Sequence, residues 1–108
     1  MNIFVSYTTR DSYVDLALLE ATSDYLSEFS NPYIDILHND SIDKQSHVEN
    51  MLCQSNIVLL LESLSINNSK WVQWELNEAS NKGIPVINIP VSLNPATTLD
   101  RIKKSLNR

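Results

Sequence analysis

Apolar and polar positions along this chain switch repeatedly between a strand period and a helix period. Ile3-Phe4-Val5-Ser6-Tyr7 is rich in β-branched and aromatic residues and reads as a buried first strand. Ser12-Tyr13-Val14-Asp15 then has capping-box character, and Val14, Ala17, Leu18, Ala21 and Tyr25 recur at helical spacing. This predicts a helix from about Asp11 to Phe29. Asn31-Pro32 breaks it, and Tyr33-Ile34-Asp35-Ile36-Leu37 follows as a second strand, whose Asp35 suggests a place near the sheet edge.

After a loop from His38 to Asp43, Val48, Leu52 and Met51 mark the inner face of a helix over about Lys44 to Gln54. Asn56-Ile57-Val58-Leu59-Leu60-Leu61 is continuously apolar after its first residue, the pattern of a central parallel strand covered on both faces. Ser69 can cap a helix running to about Lys82, which Gly83 and Pro85 stop. Pro85-Val86-Ile87-Asn88-Ile89 makes a fourth strand, and Thr97-Thr98-Leu99-Asp100 opens a last helix. Such alternation predicts an α/β fold: an open, mostly parallel sheet of about four strands, order 2-1-3-4, with helices on both faces. Ligands in that architecture sit beyond the carboxyl ends of the strands, where the order reverses. The expected crevice is lined by Tyr7, Thr8, Thr9, Arg10 and Asp11 on one side and Glu62, Ser63 and Leu64 on the other.

A length of 108 residues fits a single domain, 1–108. By surface-to-volume scaling it buries roughly 65% of its unfolded surface. The net charge of −5 argues against a nucleic-acid partner. Arg101, Lys103, Lys104 and Arg108 read as favourable charge at a helix C-terminus. A single cysteine, Cys53, excludes an internal disulfide and a cysteine-rich zinc site; among Met51, Leu52 and Ile57 it reads as a core residue. The longest apolar run, Ile57 to Leu61, is far short of a membrane span, and a basic-plus-apolar leader pattern is absent from the first residues. A cytoplasmic protein without membrane association is expected. One glycine rules out a phosphate-binding loop or a dinucleotide glycine fingerprint. His38 and Asp40, and the sequons Asn39-Asp40-Ser41 and Asn67-Asn68-Ser69, read as polar loop and helix cap, with no metal and no resident cofactor.

The segment richest in candidate chemistry is Ser69-Lys70-Trp71-Val72-Gln73-Trp74-Glu75-Leu76. Trp71 and Glu75 stand at i and i+4, so on a helix the indole walls the carboxylate from water. Trp74 and Glu78 repeat the spacing, and either pair is open as the one facing the crevice. A packed indole beside a solvated acid is the structural alternative.

Phe4 to Asp11, Ile57 to Leu61, Ser69 to Leu76 and Lys82-Gly83-Ile84-Pro85-Val86-Ile87, in this order and at these element ends, resemble the Toll/interleukin receptor (TIR) domain family. The resemblance implies a flavodoxin-like sheet, a place in innate-immune or anti-phage signalling, and, in enzymatic members, cleavage of the nicotinamide-ribose bond of NAD by hydrolysis or cyclisation. It implies Glu75 as the catalytic glutamate, in a Trp-x-x-x-Glu pattern with Trp71, and an approach of Phe4 to Asp11, hence of Tyr7, Thr8, Arg10 and Asp11, to the nucleotide; Ser63 is the candidate on the opposite side of the expected crevice. NAD is then a substrate and no prosthetic group is implied. Nucleoside deoxyribosyltransferase-like enzymes share the architecture and also set a glutamate near a ribose.

Two departures shape the expectation. The loop after strand two, residues 38–43, is short and glycine-free, which argues against the homotypic contacts this loop makes in many members. The order of elements ends with a fourth strand and one helix where typical members have a further strand-helix unit. A pocket wall supplied by a second copy, hence a homo-oligomer, is expected for an enzyme, and a protein partner for a non-enzymatic interaction module.

Overall fold

The computed structural model describes residues 1–38 and 42–106. The sequon Asn39-Asp40-Ser41, which is half of loop 38–43, and Arg108 lie outside the described residues. The elements are β1 (Asn2–Ser6), α1 (Leu16–Ser27), β2 (Asn31–Tyr33), α2 (Asp35–His38), α3 (Lys44–Cys53), β3 (Ile57–Glu62), a 3-10 turn (Ile66–Asn68), α4 (Lys70–Asn81), β4 (Val86–Pro90) and α5 (Pro95–Leu106). The sheet order is β2-β1-β3-β4 with every pair parallel, the α/β architecture that the alternating pattern predicts.

Strand alternation divides the core into two layers. Ile3, Val5, Leu59, Leu61 and Ile89 meet Leu19 and Leu26 of α1 and Ile102 of α5 on one face. Phe4, Tyr33 and Val58 meet Val48 and Leu52 of α3 and Ala79 of α4 on the other. Consecutive residues of β1 and β3 are therefore both buried, which is why these strands read as apolar runs rather than alternating ones. Ser6 closes β1 on the α4 face, fully buried.

The second strand is not Tyr33 to Leu37. β2 takes Asn31-Pro32-Tyr33, pairing with Asn2, Ile3 and Phe4 at the sheet edge where proline's missing donor is tolerated. The following residues wind into α2 because the turn is satisfied three ways. The Ile34 N–H donates to His38 Nδ1 at 2.8 Å, the His38 N–H donates to the Ile34 carbonyl at 2.9 Å, and the Ile36 N–H donates to the Tyr7 hydroxyl at 3.1 Å. These contacts override the strand preference of the isolated segment.

α1 starts at Leu16, later than the capping box suggests: Asp15 is the cap, its Oδ1 accepting from the Leu18 N–H at 2.9 Å. Its buried stripe is Leu18, Leu19, Thr22 and Leu26, and Ala17 is exposed. Cys53 is exposed, not core, because Val48 and Leu52 point α3 inward and the next residue falls about 100° around the helix. α5 begins at Pro95, two residues before Thr97, with the Asn94 side chain accepting from the Ala96 N–H at 3.0 Å. α4 ends as predicted, with Gly83 at φ +69 past its last turn. Among the described residues no helix is long and apolar enough to cross a membrane.

Candidate active site

The amphipathic pattern of α4 sets its inward residues as Val72, Glu75 and Ala79, so the buried stripe contains a carboxylate. Ser69 caps the helix, its Oγ accepting from the Val72 N–H at 3.2 Å, and fixes the first turn that carries Trp71. Glu75 is 3% exposed, and its Oε1 accepts a 2.8 Å hydrogen bond from Ser6 Oγ. Burial pushes its carboxyl up to about 7; the Ser6 donor opposes the rise, the nearby Asp35 charge adds to it, and the Trp71 indole donor opposes it.

Glu75 faces an open cleft of about 180 Å³ at the C-terminal end of β1. Val5, Tyr7, Thr8 and Thr9 line it from β1 and the residues after it, Asp35 from α2, and Trp71 and Glu75 from α4. The Tyr7 hydroxyl accepts from the Ile36 N–H, and burial raises its pKa. Asp35 Oδ1 accepts at 2.8 Å from the hydroxyl of buried Tyr33. The arrangement offers a buried carboxyl, a second carboxylate, three hydroxyls and an indole wall, a set suited to holding a sugar and stabilising positive charge on it.

Glu75, Tyr7, Thr8 and Trp71 are thus brought together. Arg10, Asp11 and Ser63 do not line the cleft. Arg10 is exposed, its backbone N–H donating to Thr8 Oγ1 at 3.3 Å. Asp11 accepts from the Ser65 N–H and Ser65 Oγ, each at 2.8 Å; the Ser65 backbone donor leads in holding its carboxyl below the usual range. Ser63 is buried beside it, its Oγ without a hydrogen bond of standard geometry, although its proximity helps lower Asp11. With the Leu64 N–H donating to the Tyr13 hydroxyl at 3.1 Å, these bonds close the space between β1 and β3. The cleft therefore opens towards β2 and α4, and Glu62, Ser63 and Leu64 form no wall of it.

Trp71 stacks on Trp74 with centroids 5.4 Å apart, and Trp74 and Glu78 belong to a separate depression with Cys53 and Lys82. Of the two equivalent spacings, Trp71 and Glu75 are the pair at the strand ends. Ser6 and Asp35 escape a reading of the sequence, because the strand-like pattern of Tyr33 to Leu37 sets Asp35 within a strand, whereas the structure ends β2 at Tyr33 and leaves Asp35 just beyond the end where ligands bind. No group of three or more histidine, cysteine or acidic side chains is placed to hold a metal among the described residues.

No curated protein matches the chain. The family model for the TIR-like domain of Thoeris protein ThsB matches residues 4–95, from the β1 strand to the first residue of α5, and the chain belongs to this TIR-like family.

Proposed function

We propose that this chain consumes NAD in anti-phage signalling, cleaving the nicotinamide-ribose bond with Glu75 as the catalytic residue. Membership of the ThsB TIR-like family supports the signalling context. The observation that carries the chemistry is the buried Glu75 carboxyl, hydrogen-bonded to Ser6 and facing the cleft.

As the glycosidic C–N bond breaks, its electron pair goes to the ring nitrogen, so nicotinamide leaves neutral and needs no general acid. Positive charge passes to the anomeric carbon and ring oxygen of the ribose, where ionised Glu75 stabilises it. The cationic ring of the incoming substrate favours that ionised form. Water, or a nitrogen of the adenine in the same molecule, then forms the new bond at the anomeric carbon and releases a proton where water attacks. Ser6 holds the carboxylate in place, the hydroxyls of Tyr7 and Thr8 face the sugar, and Trp71 walls the site from solvent.

The cleft, about 180 Å³, is smaller than the roughly 300–1,000 Å³ usual for small-molecule sites, so it takes one end of a dinucleotide. Ile36, Ile42, Leu64 and Leu93 are exposed on segments that leave the carboxyl ends of β2, β3 and β4. These apolar side chains favour a second copy or a protein partner at that end, completing the site. They equally support a second reading, a non-enzymatic TIR interaction module.

Incubation of pure protein with NAD, following nicotinamide release across protein concentration, separates the two. Release that disappears in Glu75→Gln supports the enzyme. Equal release from that variant, or none where the protein self-associates, overturns it. The module predicts association that survives Glu75→Gln and is lost in Ile36→Asp or Leu64→Asp.

A further inference from the structure

The cleft holds a second acidic side chain to which bond cleavage assigns no task. Asp35 opens α2, one residue beyond the end of β2, and lines the same cleft as Glu75. Tyr33 binds its Oδ1, and α2 itself is fixed by the Ile36 N–H to Tyr7 and the Ile34 N–H to His38. The fold thus positions this carboxylate at the cleft. None of the described residues lining the cleft is a lysine, arginine or histidine, and the indole of Trp71, 41% exposed, supplies an aromatic face. Two acids beside one aromatic surface attract a cation through both charge and ring quadrupole; they repel phosphate and give a neutral ring no comparable gain.

We propose that Asp35 is a specificity-determining residue that reads positive charge on the ring entering the cleft, acting with Trp71 to select an N-substituted pyridinium over its neutral counterpart. The proposal rests on the NAD-cleaving reading for its biological substrate, but charge selection is measurable without cleavage. It places the cationic ring against Asp35 and Trp71 and the phosphates outside, so the oxidised cofactor enters and the neutral dihydronicotinamide form is discriminated against at binding.

The test titrates the intact protein with N-methylnicotinamide cation and, separately, with neutral nicotinamide, following the Trp71 indole N–H by NMR. The cation should bind on the order of tenfold more tightly. Asp35→Asn, which keeps an oxygen for Tyr33, should remove most of that preference. Tyr33→Phe removes the supporting hydroxyl but keeps the charge and should retain it. Equal binding of the two probes to the wild type, a preference unchanged in Asp35→Asn, or equal loss in both variants overturns the proposal. A preference that depends on Asp35 without any nicotinamide release from NAD sustains charge reading and removes NAD cleavage; release with an Asp35-independent preference does the reverse.

Discussion

Ser6 Oγ donates to Glu75 Oε1 at 2.8 Å, tying the last residue of β1 to the middle of α4 across 69 positions of chain. Both side chains are buried, so the bond is formed where an unmet polar group is costly. It sets two opposing influences on one carboxyl: desolvation raises its pKa, and the serine donor stabilises the ionised form.

The proposed NAD cleavage takes its pH dependence from that balance. It requires an ionised Glu75 beside the sugar cation, so kcat/KM for nicotinamide release should rise through a pH of about 7. Ser6→Ala removes a donor that favours the anion and should move the inflection to higher pH. Asp35→Asn removes a like charge and should move it lower. Steady-state profiles of the three proteins check both directions.

The same carboxyl should contribute a stability that falls as pH rises. Its folded pKa of about 7 lies above the ordinary 4.5, so the native state holds the proton more tightly; the associated stability is present below pH 4.5 and lost as pH rises through 7. The difference corresponds to about 3 kcal/mol at about 1.4 kcal/mol per unit. Glu75→Gln keeps an oxygen for Ser6 without the charge. Thermal melts should show it more stable than wild type at pH 8, by a Tm difference on the order of 10 °C, with the gap closing towards pH 4.

The cap of α4 governs the position of the indole wall. Ser69→Ala leaves the Val72 N–H without its side-chain acceptor and should lower stability by about 1 kcal/mol. Because Trp71 lies in the turn so fixed, activity should fall further than the loss of folded protein accounts for. Denaturant titration alongside rate measurement at full folding separates the two effects.

Asp11 should behave as a fastener of loops. Asp11→Asn weakens its paired acceptance from Ser65 and loosens the residues after β1 that carry Thr8 and Thr9, so KM should rise with kcat nearly unchanged. The wild-type carboxyl is held below its ordinary 3.8, so its stabilising contribution is present above that pH and lost as pH falls through the folded value. Melts of wild type and Asp11→Asn should therefore differ above pH 4 and converge in stronger acid.

Long periodic segments were legible in the chain and short ones were not. The apolar run at β3 and the serine-to-glycine frame of α4 are specified locally, by double-sided burial and by cap chemistry. Tyr33 to Leu37 carries a strand-like pattern, yet only Tyr33 stays in the sheet, because His38 and Tyr7 satisfy a turn instead. Cys53 stands among apolar neighbours in sequence but beside Lys82 in space, since one step past Leu52 turns it off the buried face.

The sequence alone determined the α/β alternation, the strand order to expect, and a glutamate on a tryptophan-led helix, since periodicity and caps act over a few residues. Which tryptophan-glutamate pair meets the strand ends was decided only by packing. The direction in which the cleft opens depended on Asp11 and Tyr13 closing the other side. The partnership of Glu75 with Ser6 and Asp35 likewise arose only when three separate elements met, because burial and field at a carboxyl belong to its surroundings and not to its neighbours along the chain.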